Sequence, residues 1–210
     1  MSTSLVCDVT GVLLAGGKSR RMGRDKRLLA VGDETLLARS LSALRSVFQH
    51  VVVVVAQDTA AIETDAPVLR DLIPDCGSLG GLYTGLKQAE TDWVFAAACD
   101  MPFLDSATIR HFVSLKHEGD VVMAKLPHGL QPMHALYHRR CLPVMESLIQ
   151  ARDFKIHRLV DHPSLGVRLV LPEDLHHLDP DARSFDNINT PDDLDAARSV
   201  HQKRVKPSTA

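Results

Sequence analysis

Six basic residues crowd between Lys18 and Arg27 against a single acid, Asp25, in a chain whose formal net charge is only −2. They belong to Leu14-Ala15-Gly16-Gly17-Lys18-Ser19-Arg20-Arg21-Met22-Gly23-Arg24-Asp25-Lys26, which follows the apolar run Val9 to Leu14. Adjacent glycines let backbone N–H groups approach an anion closely, and Lys and Arg neutralise phosphate oxygens. The segment predicts a polyphosphate-binding loop at the end of a buried strand.

Further chemistry-bearing residues recur at the ends of apolar runs. Trp93 to Ala98 leads into Cys99-Asp100-Met101-Pro102. A carboxylate there, with Pro102 restricting the backbone after it, suits Mg²⁺, which takes one or two carboxylates plus substrate phosphate oxygens. Asp71 closes the short run Pro67 to Leu69 and precedes the glycine cluster Gly77, Gly80 and Gly81, which would let a helix entrance lie close to a ligand. A turn or cap role serves Asp71 equally well, as tight helix packing does the glycines. In Asp186-Asn187-Ile188-Asn189-Thr190-Pro191-Asp192-Asp193, helix capping accounts for Thr190, Pro191 and the aspartates but not for Asn187 and Asn189. His134 and His138 have the i, i+4 spacing of zinc ligands on a helix, but they fall in an expected strand.

The elements that must position these residues alternate. Strands are expected at Val9–Leu14, Val51–Val55, Pro67–Leu69, Trp93–Ala98, Val121–Ala124, Pro132–Tyr137 and Val167–Leu171. Between them, helical spacing marks Glu34–Val47, Ser78–Ala89, Ser106–Lys116, Leu142–Gln150 and Lys155–Val160, with a last helix from Asp192. Such alternation implies a three-layer α/β architecture around a mostly parallel sheet, with ligands beyond the carboxyl ends of the strands.

A length of 210 residues with 45% apolar content suits one domain with a full core, expected over residues 1–201, and a disordered polar tail over 202–210. Balanced charge, 24 basic against 26 acidic residues, argues against a nucleic-acid binder. The start lacks a signal peptide and no apolar run could cross a bilayer, so a cytoplasmic protein is expected. Cys7, Cys76, Cys99 and Cys141 are scattered and read as buried small side chains rather than disulfide or metal partners.

Two phosphate-loop patterns fail. A Walker A loop ending in Gly17-Lys18-Ser19 would need its first glycine at Val12, and Gly11 is one residue early. A dinucleotide fingerprint fails because Gly16 and Gly17 are adjacent. The pattern L-A-G-G-x-S-x-R-M-G-x-D-K matches throughout Leu14 to Lys26. The chain thereby resembles the nucleoside-triphosphate transferases, and its double glycine resembles the molybdenum cofactor guanylyltransferase branch, over Gly11 to Arg198.

The resemblance implies a Rossmann-like nucleotidyltransferase fold and a set of roles. Leu14, Ala15, Gly16, Gly17, Lys26, Asp71, Gly80 and Asp100 would bind GTP; Arg21, Lys26 and Asp100 would carry catalysis; Asp100 would hold Mg²⁺. Gln131-Pro132 before His134 would line the acceptor side, and Asn187 or Asn189 would reach back to the site. The acceptor would be molybdenum-bearing molybdopterin, with transient contacts to other cofactor-assembly proteins. The family's nucleotide-contacting asparagine is replaced by Val54, leaving Gln57 as a substitute, and Arg27 stands where a small residue is usual. Gly16 and Gly17 on one side, Gly80 and Gly81 on the other, would leave room for a purine. The alternatives are a cytidylyltransferase, whose relatives favour L-A-A-G in the loop, and a non-catalytic nucleotide-binding module.

Overall fold

The computed structural model of the chain describes residues 4–16 and 25–205. In chain order come β1 (Val6–Leu14), the short β2 (Ala30–Val31) and β3 (Glu34–Thr35), α1 (Leu36–Arg45), β4 (Phe48–Val55) and β5 (Val68–Arg70). There follow α2 (Gly77–Gln88), β6 (Trp93–Ala98), α3 (Ser106–Ser114), β7 (Val121–Leu126) and β8 (Gly129–His138). The chain closes with α4 (Leu142–Gln150), β9 (Val167–Val170), α5 (Pro172–Leu175) and α6 (Pro191–Val205).

Seven strands form the sheet in the order β5-β4-β1-β6-β8-β7-β9. All neighbours are parallel except β8, which runs antiparallel to both β6 and β7. The expected α/β fold with a mostly parallel sheet is therefore what forms. Strand alternation divides the core in two. Val9 and Leu13 of β1 face Leu41 and Leu44 of α1 and Phe112 of α3, while Val12 and Leu14 face Leu79, Leu82 and Leu86 of α2 and Met145 of α4. Burying each such side chain stabilises the fold by roughly 1.5–3 kcal/mol. A third, smaller cluster joins Leu194 and Ala197 of α6 to Val31, Leu36, Phe103 and Ile188 at the site end of the molecule.

The differences from sequence expectation are local. The helix expected from Glu34 begins at Leu36, because Glu34 and Thr35 pair with Val31 and Ala30 around a turn at Gly32, whose φ is +68°. Thr35 caps the helix, its Oγ1 accepting the Ala38 N–H at 3.2 Å. Lys155–Val160 is only a 3₁₀ turn, Ile156–Leu159. The last helix continues to Val205, so the polar segment from Gln202 is helical as far as that residue; 206–210 lie outside the described residues. All four cysteines are free thiols, but Cys7 is exposed rather than buried. Among the described residues no helix is long and apolar enough to cross a membrane.

Candidate active site

The carboxyl ends of β1, β4 and β5 and the start of α2 open onto a cleft of about 590 Å³, within the range of small-molecule sites. Its apolar floor is Leu14 and Val54; Gly16, Gln57, Asp71 and Gly81 contribute to its walls. Of the loop expected to bind phosphate, Gly17 and Arg21 lie outside the described residues. Ala15 is locked at the strand end, its N–H donating to the Val54 carbonyl at 2.9 Å.

Asp71 has an unusual environment. Its backbone N–H donates to the Val55 carbonyl and its carbonyl accepts from Gln57 Nε2, both at 2.9 Å, so the residue is fixed at the end of β5. Its Oδ1 is buried with no hydrogen-bond partner, and desolvation raises its pKa from 3.8 to about 6. A buried carboxylate oxygen left unpaired costs stability unless a donor arrives. Asp71 thus lines the cleft with one carboxylate oxygen that no protein donor meets. Gln57, the substitute considered for the missing asparagine, lines the same cleft but spends its amide N–H on Asp71.

The glycines divide their work differently from expectation. A Cβ on Gly80 would meet the Cys76 side chain at 2.8 Å and the Ile73 carbonyl at 3.2 Å, and its N–H donates to the Cys76 carbonyl. Gly80 thus serves tight packing at the start of α2 and is turned from the cleft. Gly81 faces it instead, a Cβ there lying 3.1 Å from Leu14 and 3.6 Å from Asp71 Oδ1. At Gly16 a Cβ would press on the Ala56 backbone nitrogen at 3.1 Å, so the room left there is for the chain itself rather than for a purine.

A second polar corner gathers residues far apart in sequence. Lys26 Nζ donates to Asp100 Oδ2 at 3.3 Å and to Asn189 Oδ1 at 2.9 Å. Lys26 begins a 3₁₀ turn capped by Asp25, whose carboxylate accepts the Arg27 N–H and pairs with the Arg27 guanidinium, which holds that carboxyl below its ordinary pKa. The unusual Arg27 is thereby folded back onto its neighbour and leaves Lys26 to face the site. Asp100 lies in the turn just after β6 and its carbonyl accepts the Ile188 N–H at 2.9 Å, tying the segment before α6 to the corner. Asp193 fixes Asn189 in turn, one oxygen accepting the Asn189 and Thr190 N–H groups at 2.8 Å. Asn187 points elsewhere, donating to the Phe185 carbonyl.

Among the described residues no group of three or more His, Cys, Asp or Glu side chains is placed to hold a metal. Asp100 with the amide oxygen of Asn189 still offers hard oxygen donors, and a Mg²⁺ carried in on a triphosphate needs no more than one or two carboxylates. The residues fit such an ion.

His134 and His138 do not form a metal site. His134 is fully buried, its ring centroid 4.4 Å from that of Phe185 and 5.0 Å from that of Phe95. Burial pushes its pKa down to about 4 against a weaker opposing pull from the Ser184 backbone, and neither ring nitrogen reaches a well-formed hydrogen bond. His138 packs edge-on against Trp93 and accepts the Arg140 N–H.

The site thus comprises a cleft beyond the ends of parallel strands, with an unpaired carboxylate in its wall, and a lysine–aspartate–asparagine corner just past the end of the neighbouring β6. Residues 11–167 match the MobA-like NTP transferase domain, and the chain belongs to that family. It is 35% identical to the probable molybdenum cofactor guanylyltransferase of Pelotomaculum thermopropionicum, over 90% of this chain and 91% of that one. It is 34% identical to the molybdenum cofactor guanylyltransferase of Desulfosudis oleivorans, over 91% and 95%. Molybdopterin-guanine dinucleotide biosynthesis protein A from Archaeoglobus fulgidus superposes with a TM-score of 0.81 at 28% identity, covering 92% of this chain and 99% of that one.

Proposed function

We propose that the chain transfers GMP from GTP to the terminal phosphate of molybdenum-bearing molybdopterin, releasing pyrophosphate and forming the guanine dinucleotide cofactor. The observation that carries this reading is the meeting of Lys26, Asp100 and Asn189 just past the carboxyl end of β6, the strand next to β1, whose own end floors a cleft with the unpaired Asp71 carboxylate in its wall. The cleft takes the nucleoside and the corner takes its phosphates. Guanine presents two adjacent N–H donors on one edge, which suits an acceptor such as Asp71 better than the mixed edges of adenine or cytosine. A site left with unpaired polar groups by the wrong base rejects it strongly.

Lys26 then releases Asp100 and Asn189 to neutralise phosphate oxygens as charge builds at the α-phosphorus and the leaving group. A Mg²⁺ held by Asp100 would supply further charge stabilisation there. The attacking phosphate is already ionised at neutral pH, so no general base is required of the protein. Arg21 and Gly17 belong to the phosphate loop in this reading. The catalytic domain of this cytoplasmic enzyme runs on into α6, because the Ile188–Asn189 segment completes the corner.

The test is pyrophosphate release by the purified protein with each of the four nucleoside triphosphates, Mg²⁺, and either molybdopterin or a panel of sugar phosphates. Release with GTP and molybdopterin alone is expected. Equal use of CTP would make the chain a cytidylyltransferase, and no release with any acceptor would leave a nucleotide-binding module.

A further inference from the structure

The strand β8 is irregular at one place. Its ladder with β6 runs evenly from the Trp93–His138 pair to Ala97–His134. Its ladder with β7 runs evenly to Met123–Ala135 and then jumps to Ala124–Gln131. A single step along β7 thus spans four residues of β8, and Pro132, Met133 and His134 form a wide bulge. Bulges re-aim a strand, and Pro132 has no N–H to contribute to a ladder.

The bulge is pinned from both faces of the sheet. On one face His134 is sunk among Phe95, Phe112 and Phe185. On the other, the hydroxyl of the fully buried Tyr137 donates to the Pro132 carbonyl at 2.8 Å. A straight strand would set residues five apart at about 16 Å, more than twice the reach of a tyrosine side chain. The bond therefore exists only while the chain is doubled up at Pro132. Burial also pushes the phenol well above its ordinary pKa, so the hydroxyl remains a donor.

The position of the bulge gives it a use. Its last residue, His134, pairs with Ala97, three residues before Asp100 at the carboxyl end of β6. Across the sheet the order is then nucleotide cleft on β4 and β1, Asp100 on β6, bulge on β8. With the nucleoside over β4 and β1, the start of β8 is the neighbouring wall beside Asp100 that is left for an acceptor.

We propose that Tyr137 is a positioning residue for the acceptor, its hydroxyl holding the Pro132 bulge so that the start of β8, with Gln131 and Met133, forms the acceptor wall beside Asp100. This rests on the transfer to a phosphorylated acceptor proposed above.

Tyr137→Phe keeps the ring and removes only the bond to Pro132. The expected result is a rise of about tenfold in KM for molybdopterin with KM for GTP unchanged. Faster amide exchange at Leu130, Gln131 and Met133 in the unliganded protein is expected alongside. Thr10→Val serves as a control, since it removes a part-buried hydroxyl pair with Thr91 at the opposite end of β6 and should cost stability without moving either KM. Equal KM values for molybdopterin in wild type and Tyr137→Phe, or unchanged exchange at the bulge, would overturn the proposal. Faster exchange at the bulge in a protein whose wild type transfers nothing to molybdopterin would uphold the clamp and overturn the acceptor instead.

Discussion

The two halves of the site are built on opposite principles. Over β4 and β1 the walls are polar and half-open, and a carboxylate oxygen of Asp71 is buried without a partner. Over β8 the wall is core: His134 and Tyr137 are fully buried, and the Tyr137 hydroxyl holds the Pro132 carbonyl. In the proposed reading the first half stores an unmet demand that a ligand satisfies, and the second stores shape. Their titration is alike in one respect. Burial raises Asp71 and lowers His134, so both are driven towards their neutral forms while empty of partners.

The sharpest way to break the contrast lies at the corner between the halves. Asp100→Asn should leave the fold intact and cut turnover by at least about a hundredfold, as removal of an electrostatic stabiliser of the transition state does. Rapid turnover by a folded Asp100→Asn protein at limiting Mg²⁺ would remove that residue from the chemistry. Lys26→Ala should raise KM for GTP and slow transfer, together by about tenfold to a hundredfold in kcat/KM, with little change in Tm. A large fall in Tm with normal GTP binding would make the Lys26–Asp100 pair structural.

On the nucleotide side, Asp71→Asn should make the unliganded protein more stable near neutral pH while weakening GTP binding by about tenfold. The folded pKa of about 6 lies above the ordinary 3.8, so the unliganded protein loses stability as pH rises from 3.8 through 6. GTP binding should therefore strengthen as pH rises through 6 and release a proton below it. Calorimetry in buffers of different ionisation enthalpy measures that proton, and the asparagine variant should show none.

On the β8 side the sign reverses. His134 has a folded pKa of about 4 against 6.5, so its contribution is complete above pH 6.5 and is lost as pH falls towards 4. Urea unfolding of His134→Phe should show a flatter pH dependence across that window. The smallest effect is expected at Gly16→Ala, where the methyl group presses on the Ala56 backbone. It should weaken all nucleotides alike, by a few-fold, without shifting preference towards CTP.

Much of the frame was legible because it rests on short-range pattern. Apolar runs mark β1, β4 and β6, and helical spacing marks α4 at its observed bounds. The hairpin of β2 and β3 escaped notice because its strands have two residues each, although Gly32-Asp33 is a recognised turn signal. The direction of β8 is set by the reversal between Leu126 and Gly129, whose φ of +124° periodicity does not report. The phosphate and metal candidates were legible as residue types at strand ends. Which of Asn187 and Asn189 meets Lys26, and which of Gly80 and Gly81 faces the cleft, depend on side-chain direction at a chain reversal and a helix start. Pattern alone does not fix those directions.

The Lys26 corner also sets a timetable for the growing chain. Its three side chains are separated by 74 positions between Lys26 and Asp100 and by 163 between Lys26 and Asn189. On a ribosome, β1, β4, β5 and β6 can all emerge and pair while Asn189 has yet to be made. A chain that stops at Val170 would own every strand of the sheet and still lack the asparagine that meets Lys26. Assembly of the corner therefore waits until the chain has passed Asn189, after every strand of the sheet has been made.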